Sequence, residues 1–365
     1  MSVQDWRRAR RILCVRLDGA GDVLMTTPAL RALRDSERGR HVTLLTSSAG
    51  AAAARLVPVV DDVVVYDAPW MKATPPRASS AVDHALVADL RERRFDAAVV
   101  FTVFSQDPLP AALLCHLADV PLRAAHARDK PYGLLTDWTP DPEPAGGIRH
   151  EVRRQLDLVA GLGATTTDER LALAVPDGAR AEVDALLEGL GLDDDGWLAV
   201  HPGATAPSRR YPEELFGDAL RRLARRRGVR AVVTGSEAER DLAERVRAGA
   251  GPGAVSVAGA LDLAGLAALL ERAPLLVSNN TGPVHVAAAV GTPVVDLYAL
   301  TNPQHTPWGV PARVLSHDVP CRWCHSSVCV AVHHDCLRKV APADVAAAAE
   351  ELLDARRAER APAGA

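Results

Sequence analysis

Asp22 lies in a glycine-rich loop directly after a short apolar run, in the sequence RLDGAGDVL of residues 16–24. A strand, a glycine loop and a helix in this order place the loop at the carboxyl end of a parallel sheet, where ligands bind. Two interpretations remain open: Asp22 caps the helix, or it is a carboxylate held in the site as a general base. A dinucleotide fingerprint is disfavoured, because Leu24 occupies the third glycine position.

A second loop, HPGATAPSRRYP at residues 201–212, combines small, hydroxyl-bearing and basic residues after another predicted strand. Gly203, Thr205 and Ser208 offer positions where phosphate oxygens can approach. Arg209 and the arginine after it supply cations, and the guanidinium fork matches phosphate geometry. The composition favours an anion-binding loop over an ordinary surface loop.

Residues 278–293, SNNTGPVHVAAAVGTP, predict a helix that begins at the end of a strand. Asn280 or Thr281 can cap this helix. The backbone N–H groups of the first turn would face a ligand, and Gly282 has no side chain to block their approach. A diphosphate suits such a helix N-terminus. His285, in the first turn, faces the same point.

Two further carboxylates follow a strand in the sequence GSEAE of residues 235–239. In this segment, which begins at Gly235, either Glu237 or Glu239 could accept hydrogen bonds from the hydroxyl pair of a ribose. The sequence does not choose between the two.

Four cysteines, Cys321, Cys324, Cys329 and Cys336, lie within one short segment. The stretch CRWCH spells a c-type haem attachment motif, but such attachment belongs outside the cytoplasm and no export signal is found. Four thiols in one short segment fit a tetrahedral structural Zn²⁺. A reduced, metal-free loop and a disulfide pair are the alternatives.

The elements that must position these residues follow an alternating order. Short β-branched runs alternate with longer segments rich in Ala, Leu and Arg, which predicts parallel sheets in two halves. The predicted strands are 12–17, 42–46, 63–66 and 97–103, then 198–201, 229–234, 275–278 and 294–298. The predicted helices are 28–34, 82–93 and 150–161, then 213–227, 237–248 and 263–271.

Length and composition agree with this order. The 365 residues predict two domains, and a net charge of −4 with 4% aromatic residues argues against a nucleic-acid binder. No apolar run reaches the roughly 18 residues of a membrane-spanning helix. We therefore expect a cytoplasmic protein. Arginine-rich runs at residues 6–11 and 221–230 are solvated faces or contacts to the anionic cytoplasmic face of a membrane.

The motifs resemble those of glycosyltransferase family 9, the lipopolysaccharide heptosyltransferase family. The matching segments are RLDGAGDVLMTTPAL at residues 16–30, HPGA at 201–204 and NTGPVH at 280–285; the cysteine segment is similar to one found in many members. The resemblance implies an α/β protein of the GT-B fold, with two Rossmann-like domains facing a central cleft. It implies an acceptor domain at 1–175, a nucleotide-sugar donor domain at 176–340, and a last helix at 341–365 that crosses back to the first domain and ends in a frayed tail.

The resemblance also implies a function in lipopolysaccharide core biosynthesis at the cell envelope: inverting transfer of a heptose from ADP-heptose to a hydroxyl of a glycan or lipid-linked acceptor. No catalytic cofactor is expected. Asp22 matches the catalytic base, and Arg209 falls where the family often has a Lys on the donor phosphates. Asn280 departs from the family, in which Asp is common. The residues expected to bind the donor are Thr205, Ser208, Arg209, Gly235, Glu237, Glu239, Asn280, Thr281, Gly282 and His285.

The acceptor is expected to meet Ser105, Gln106 and Asp107, which follow a predicted strand of the first half. Two alternatives to a transferase stay open. Loss of a carboxylate at Asn280 favours a non-catalytic sugar-nucleotide binding protein. A GT-B-type sugar-nucleotide epimerase would need acid and base groups around the donor sugar itself.

Overall fold

The computed structural model describes residues 3–72, 74–192 and 196–360. The chain divides into two compact units, Met1–Ala174 and Val175–Ala365. Each unit contains a six-stranded parallel sheet, and the predicted α/β class with two Rossmann-like halves is confirmed. The predicted tail at residues 361–365 lies outside the described residues.

The sheet of the first unit has the strand order β3-β2-β1-β4-β5-β6. Its strands are β1 (Arg11–Arg16), β2 (His41–Thr46), β3 (Asp62–Val65), β4 (Ala97–Val100), β5 (Leu122–Ala127) and β6 (Asp137–Pro140). The helices are α1 (Val3–Arg8), α2 (Ala20–Asp35), α3 (Ser48–Ala54), α4 (Ala81–Glu92), α5 (Leu109–Leu117) and α6 (Glu151–Gly161). The central strands are buried on both faces, which explains their continuous apolar sequences.

Helix α2 begins at Ala20, eight residues before the predicted start at Pro28. Proline favours a first turn, but Pro28 lies inside this helix and has no N–H for the carbonyl of Leu24. The hydroxyl of Thr27 donates to that carbonyl at 2.7 Å. The neighbouring threonine therefore supplies the missing donor, and the helix extends back to the glycine loop that holds Asp22.

The second unit repeats the topology, with the order β12-β11-β10-β7-β8-β9. Its strands are β7 (Trp197–His201), β8 (Arg230–Val233), β9 (Ala254–Ser256), β10 (Leu276–Asn279), β11 (Val294–Leu297) and β12 (Ala312–Leu315). The helices are α7 (Asp177–Gly189), α8 (Glu213–Arg227), α9 (Arg240–Ala250), α10 (Leu263–Arg272), α11 (Gly282–Val290), α12 (Asp335–Arg338) and α13 (Pro342–Arg360).

The last helix, α13, packs on α8 of the second unit. Its buried residues Val345, Ala349 and Leu352 belong to the apolar core of that unit. The crossing of this helix back to the first unit, which the resemblance implies, stays a prediction. None of the described helices is long and apolar enough to cross a bilayer.

Candidate functional site

Asp22 lies in the first turn of α2, where the sequence left two interpretations open. The capping position belongs to Gly19, which makes no side-chain cap. The carboxylate of Asp22 instead accepts a hydrogen bond from Nη2 of Arg16 at 3.0 Å, and 26% of the side chain remains exposed. The carboxylate of Asp22 is thus fixed in orientation and accessible to solvent, and a general base needs both properties.

Arg16 is completely buried and contacts three carboxylates. Its Nε lies 2.9 Å from Asp18, its Nη2 contacts Asp22, and its Nη1 lies 2.6 Å from Glu151. Burial alone would lower the pKa of Arg16, but the three acids hold it above its usual value. Burial raises the pKa of Asp18 and of Glu151, although Arg16 opposes the rise. One fixed cation therefore sets the orientation of Asp22 in an acid-rich cluster.

Ser105, Gln106 and Asp107 line one cavity of about 250 Å³ in the first unit, together with aromatic and aliphatic side chains. Nε2 of Gln106 donates to Oδ1 of Asp18 at 2.6 Å. Because Asp18 is bonded to Arg16, the wall of this cavity connects directly to the cluster that holds Asp22. The structure thus gathers the three residues expected at the acceptor.

The second unit contains a cavity of about 360 Å³ at the carboxyl ends of its strands. Its lining combines apolar side chains with hydroxyl, imidazole and carboxylate groups. The apolar lining residues are Val257, Leu261, Leu263 and Leu266, and the polar ones are His201, Thr205, Thr234, Ser236, Glu239, Asp262 and Thr281, beside Gly235.

Glu239 lines this cavity, whereas the side chain of Glu237 is 73% exposed and pairs with Arg240. Oε2 of Glu239 accepts from the backbone N–H and the hydroxyl of Ser236, at 2.9 and 2.8 Å. Burial opposes ionisation, but these bonds and the nearby His201 hold the pKa of Glu239 below its usual value. A Cβ on Gly203 would displace the Glu239 carboxylate from this position.

The loop after β7 contains Arg209, and within the described ranges its guanidinium forms no ion pair. Thr205 lines the cavity. Ser208 differs from the expectation of a donor contact: its hydroxyl donates to the carbonyl of Ser326 at 2.7 Å, and its N–H donates to Ser327 at 3.1 Å. Ser208 fastens the loop to the cysteine segment.

The N-terminus of α11 opens onto the same cavity, because Thr281 and Pro283 line it. Thr281 occupies the capping position but makes no side-chain cap, and Asn280 bonds elsewhere, so neither residue caps as predicted. The first N–H groups of a helix have no partner within the helix. Such N–H groups beside Gly282, which has no side chain, suit an anion, and the anion site expected here stays a prediction. His285 is buried in the first turn.

The four cysteines of the late segment are free thiols. Sγ of Cys321 lies 3.7 Å from Nε2 of His333. In the described ranges, no three His, Cys, Asp or Glu side chains converge as a metal-ligand set. Burial also raises the pKa of the Cys336 thiol, which disfavours the thiolate that zinc binds. Cys321, Cys324, Cys329 and Cys336 as folded do not fit the predicted zinc site.

Sequence reasoning missed Arg16 and Glu151 as partners, because they are 135 residues apart in the chain. It also missed the apolar lining of the cavity around Leu261 and Leu266.

Comparison with known proteins identifies the family. The family model for "Glycosyltransferase family 9 (heptosyltransferase)" matches residues 84–334, which is more than half of the chain. The match begins after the segment 16–30 that contains Asp22. A curated relative matches a larger share of the chain: lipopolysaccharide heptosyltransferase 1 of Pseudomonas aeruginosa is 26% identical over 324 residues, covering 87% of both chains.

Solved structures show the same fold. A family 9 glycosyl transferase from Veillonella parvula has a TM-score of 0.77 at 23% identity, covering 95% of this chain and 98% of that one. The E. coli ADP-heptose lps heptosyltransferase II has a TM-score of 0.74 at 21% identity, covering 95% and 99%. At this identity the likeness is one of fold, and it confirms the predicted GT-B class. The family match over most of the sequence carries the identification: this chain belongs to glycosyltransferase family 9 and is a glycosyltransferase.

Proposed function

We propose that the protein transfers a heptose from ADP-heptose, with inversion, to a hydroxyl of a glycan or lipid-linked acceptor in lipopolysaccharide core biosynthesis. The observation that carries the proposal is the cavity of the second unit, which combines apolar lining residues and Glu239 with an uncapped helix N-terminus. The printed names of the relatives support the donor: one is a lipopolysaccharide heptosyltransferase, and one structure names ADP-heptose.

The donor follows the chemistry of this cavity. The adenine packs against Leu261 and Leu266, and the ribose hydroxyls donate to Glu239, whose carboxylate is held ionised. The diphosphate then reaches the N–H groups at Thr281 and Gly282. Arg209 adds a cation there, since no described acid neutralises it.

Transfer then proceeds as a direct displacement. Asp22 takes the proton of the acceptor hydroxyl, and the oxygen attacks the anomeric carbon as ADP leaves. Negative charge grows on the diphosphate, where Arg209 and the N-terminus of α11 stabilise it. Arg16 holds the base in one orientation, so little reorganisation accompanies the proton transfer. This scheme uses no cofactor.

The acceptor occupies the cavity lined by Ser105, Gln106 and Asp107. We place the reaction in the cytoplasm, at the inner face of the membrane that carries a lipid-linked acceptor. Arg7 and Arg8 are exposed and suit such a surface. The second arginine run is less suited, because acids neutralise it: Arg221 and Arg222 pair with Asp218, Arg226 with Glu350, and Arg227 with Asp354.

Calorimetric titration with ADP, UDP, GDP and dTDP tests the donor assignment. Selective binding of ADP, followed by heptose transfer from ADP-heptose to a core acceptor, is the expected result. Selective binding of another nucleotide would replace the donor. Binding of ADP with no transfer to any core acceptor would instead support a non-catalytic binding protein. Change of the donor sugar without an acceptor would indicate an epimerase.

A further inference from the structure

Asp296 is a fully buried carboxyl group in β11, and the reaction scheme above gives it no role. It lies between Val295 and Leu297, opposite Ser278 of the adjacent strand. A polar group in such a setting is costly unless it is hydrogen-bonded. Its Oδ2 accepts from Asn280 at 2.9 Å, and its Oδ1 has no hydrogen-bond partner among the described residues.

The amide of Asn280 is fixed in one orientation by two acceptors. Nδ2 donates to Oδ2 of Asp296 and, at 2.8 Å, to the backbone carbonyl of His305. Because a carbonyl only accepts, the nitrogen must face this side and Oδ1 must face away from it. Asn280 thereby offers a ligand only an acceptor, which is the hydrogen-bonding character of a carboxylate without its charge.

The carboxyl group of Asp296 therefore lies directly behind the amide of Asn280. Burial raises the pKa of Asp296 to about 8, although the hydrogen bond from Asn280 and the charge of Arg209 oppose the rise. Burial raises the pKa of the nearby Tyr298, and the charge of Asp296 adds to the rise. At neutral pH most of the Asp296 population is protonated, so negative charge is withheld from the site assigned to the diphosphate.

We propose that Asp296 is a positioning residue that holds Asn280 so that its Oδ1 accepts a hydrogen bond from a hydroxyl of the donor sugar. This role rests on the proposed function, since the hydroxyl belongs to the sugar of the nucleotide donor. Asp296 does not touch the ligand. The fixed amide selects a sugar that has a donating hydroxyl at this position over one that can only accept there.

The arrangement predicts that the two positions depend on each other. Asn280→Asp alone places two carboxyl groups within hydrogen-bond distance in a buried setting, where like charges oppose ionisation. Adding Asp296→Asn restores the hydrogen bond in the reverse direction, because the amide at position 296 then donates to the carboxylate at position 280. The reciprocal pair still lacks the bond to the His305 carbonyl, so the rescue is expected to be incomplete.

A double-mutant cycle on the full-length protein tests this dependence. The dissociation constants of ADP-heptose, without acceptor, and of ADP are measured for the wild type, N280D, D296N and N280D/D296N. We expect ADP-heptose binding to weaken by about tenfold in N280D and about threefold in D296N, as for the loss of one hydrogen bond. Independent effects would multiply to about thirtyfold, whereas the double variant should stay within about threefold of the wild type.

The dissociation constant of ADP distinguishes a positioning role from a loss of structure, because ADP lacks the heptose. Its dissociation constant should change by less than about threefold across the cycle, since the altered bond is to the sugar. Asp184→Asn, which changes an exposed ion pair with Arg272, is the matched control. Multiplicative losses in the double variant would overturn the role of Asp296. So would equal losses of ADP and ADP-heptose.

The failure of the underlying function has a different signature. A wild-type protein that binds no ADP overturns the proposed donor and, with it, the role of Asp296. A wild-type protein that binds ADP and ADP-heptose, with multiplicative losses in the cycle, overturns the role of Asp296 alone. Thermal unfolding of all four proteins shows whether each variant is folded, and D296N keeps the size of the side chain so that a folded comparison is available.

Discussion

The two arginines of the candidate site are in opposite electrostatic settings. Arg16, in the first unit, is buried and shared by Asp18, Asp22 and Glu151. Arg209, in the second unit, is half-buried and has no ion-pair partner in the described part of the chain. The charge of Arg16 is balanced by carboxylates of the protein, whereas no ion pair balances the charge of Arg209 in the described residues.

The difference follows from what each region is proposed to do. A base must keep one orientation, and a buried cation with several acids fixes it without exposing the positive charge. A cation for a leaving diphosphate must keep its full charge, because an internal acid would compete with the phosphate. The first region is thus built for positioning, and the second for binding charge.

Asp22→Asn tests the chemical half of this comparison and has the largest expected effect. The amide cannot accept the acceptor's proton, so turnover should fall by about 10²- to 10⁴-fold. Donor affinity should remain, because the donor site lies in the other unit. Steady-state transfer assays and ADP titration measure the two properties. Asp35→Asn, at the other end of α2, is the control, and undiminished turnover in D22N would remove Asp22 as the base.

Arg16→Met tests whether the first cation is structural. Three acids would lose their shared partner, and the loss of one member of a buried ion pair costs about 3–5 kcal/mol of unfolding free energy. Denaturant unfolding measures the loss. Arg170→Met, whose guanidinium is exposed and paired with Asp168, should leave stability nearly unchanged. An R16M protein as stable as R170M would show that the cluster does not depend on Arg16.

Arg209→Ala tests whether the second cation serves a ligand. ADP binding should weaken by about 10- to 100-fold, as for the loss of a charged hydrogen bond, while the unfolding midpoint stays close to that of the wild type. Calorimetry and thermal unfolding give both values. The exposed Arg222→Ala is the control. A variant that binds ADP normally but unfolds at a lower temperature would show that Arg209 stabilises the fold, as Arg16 does, and does not bind the donor.

A pH series on Asp296→Asn tests the raised pKa of this buried carboxyl group. The folded protein keeps the proton of Asp296 up to about pH 8, whereas the unfolded chain releases it near pH 4. The unfolded state therefore binds fewer protons between these values, and wild-type stability should fall relative to D296N as the pH rises from about 4 to 8. Unfolding of both proteins at pH 5 and pH 8 measures this. Parallel curves would contradict the raised pKa.

Much of the fold was predictable because buried parallel strands are apolar and β-branched, as in β1, β7 and β11. Strand β5 was missed, since LRAAHA is largely alanine and becomes a strand only through its buried place in the sheet. Strand β12 was missed because it is a partly exposed edge.

Within the candidate site, residue type and place after a strand were enough to select Asp22, Arg209 and the two glutamates as candidates. The choice of Glu239 over Glu237 needed the turn that directs one side chain into the cavity and the other into solvent. The burial of Asp296 beside Asn280 could not be predicted, because only the parallel register brings β10 and β11 together.

The hydrogen bonds of Ser208 to Ser326 and Ser327 join the loop at residues 201–212, which contains Arg209, to the cysteine segment at residues 321–336 as one cooperative unit. Neither segment can open locally without breaking bonds of the other, so their local unfolding free energies are linked. A chemical change at the cysteines, even at a distance from the donor, would therefore alter how often Arg209 is in place to meet it.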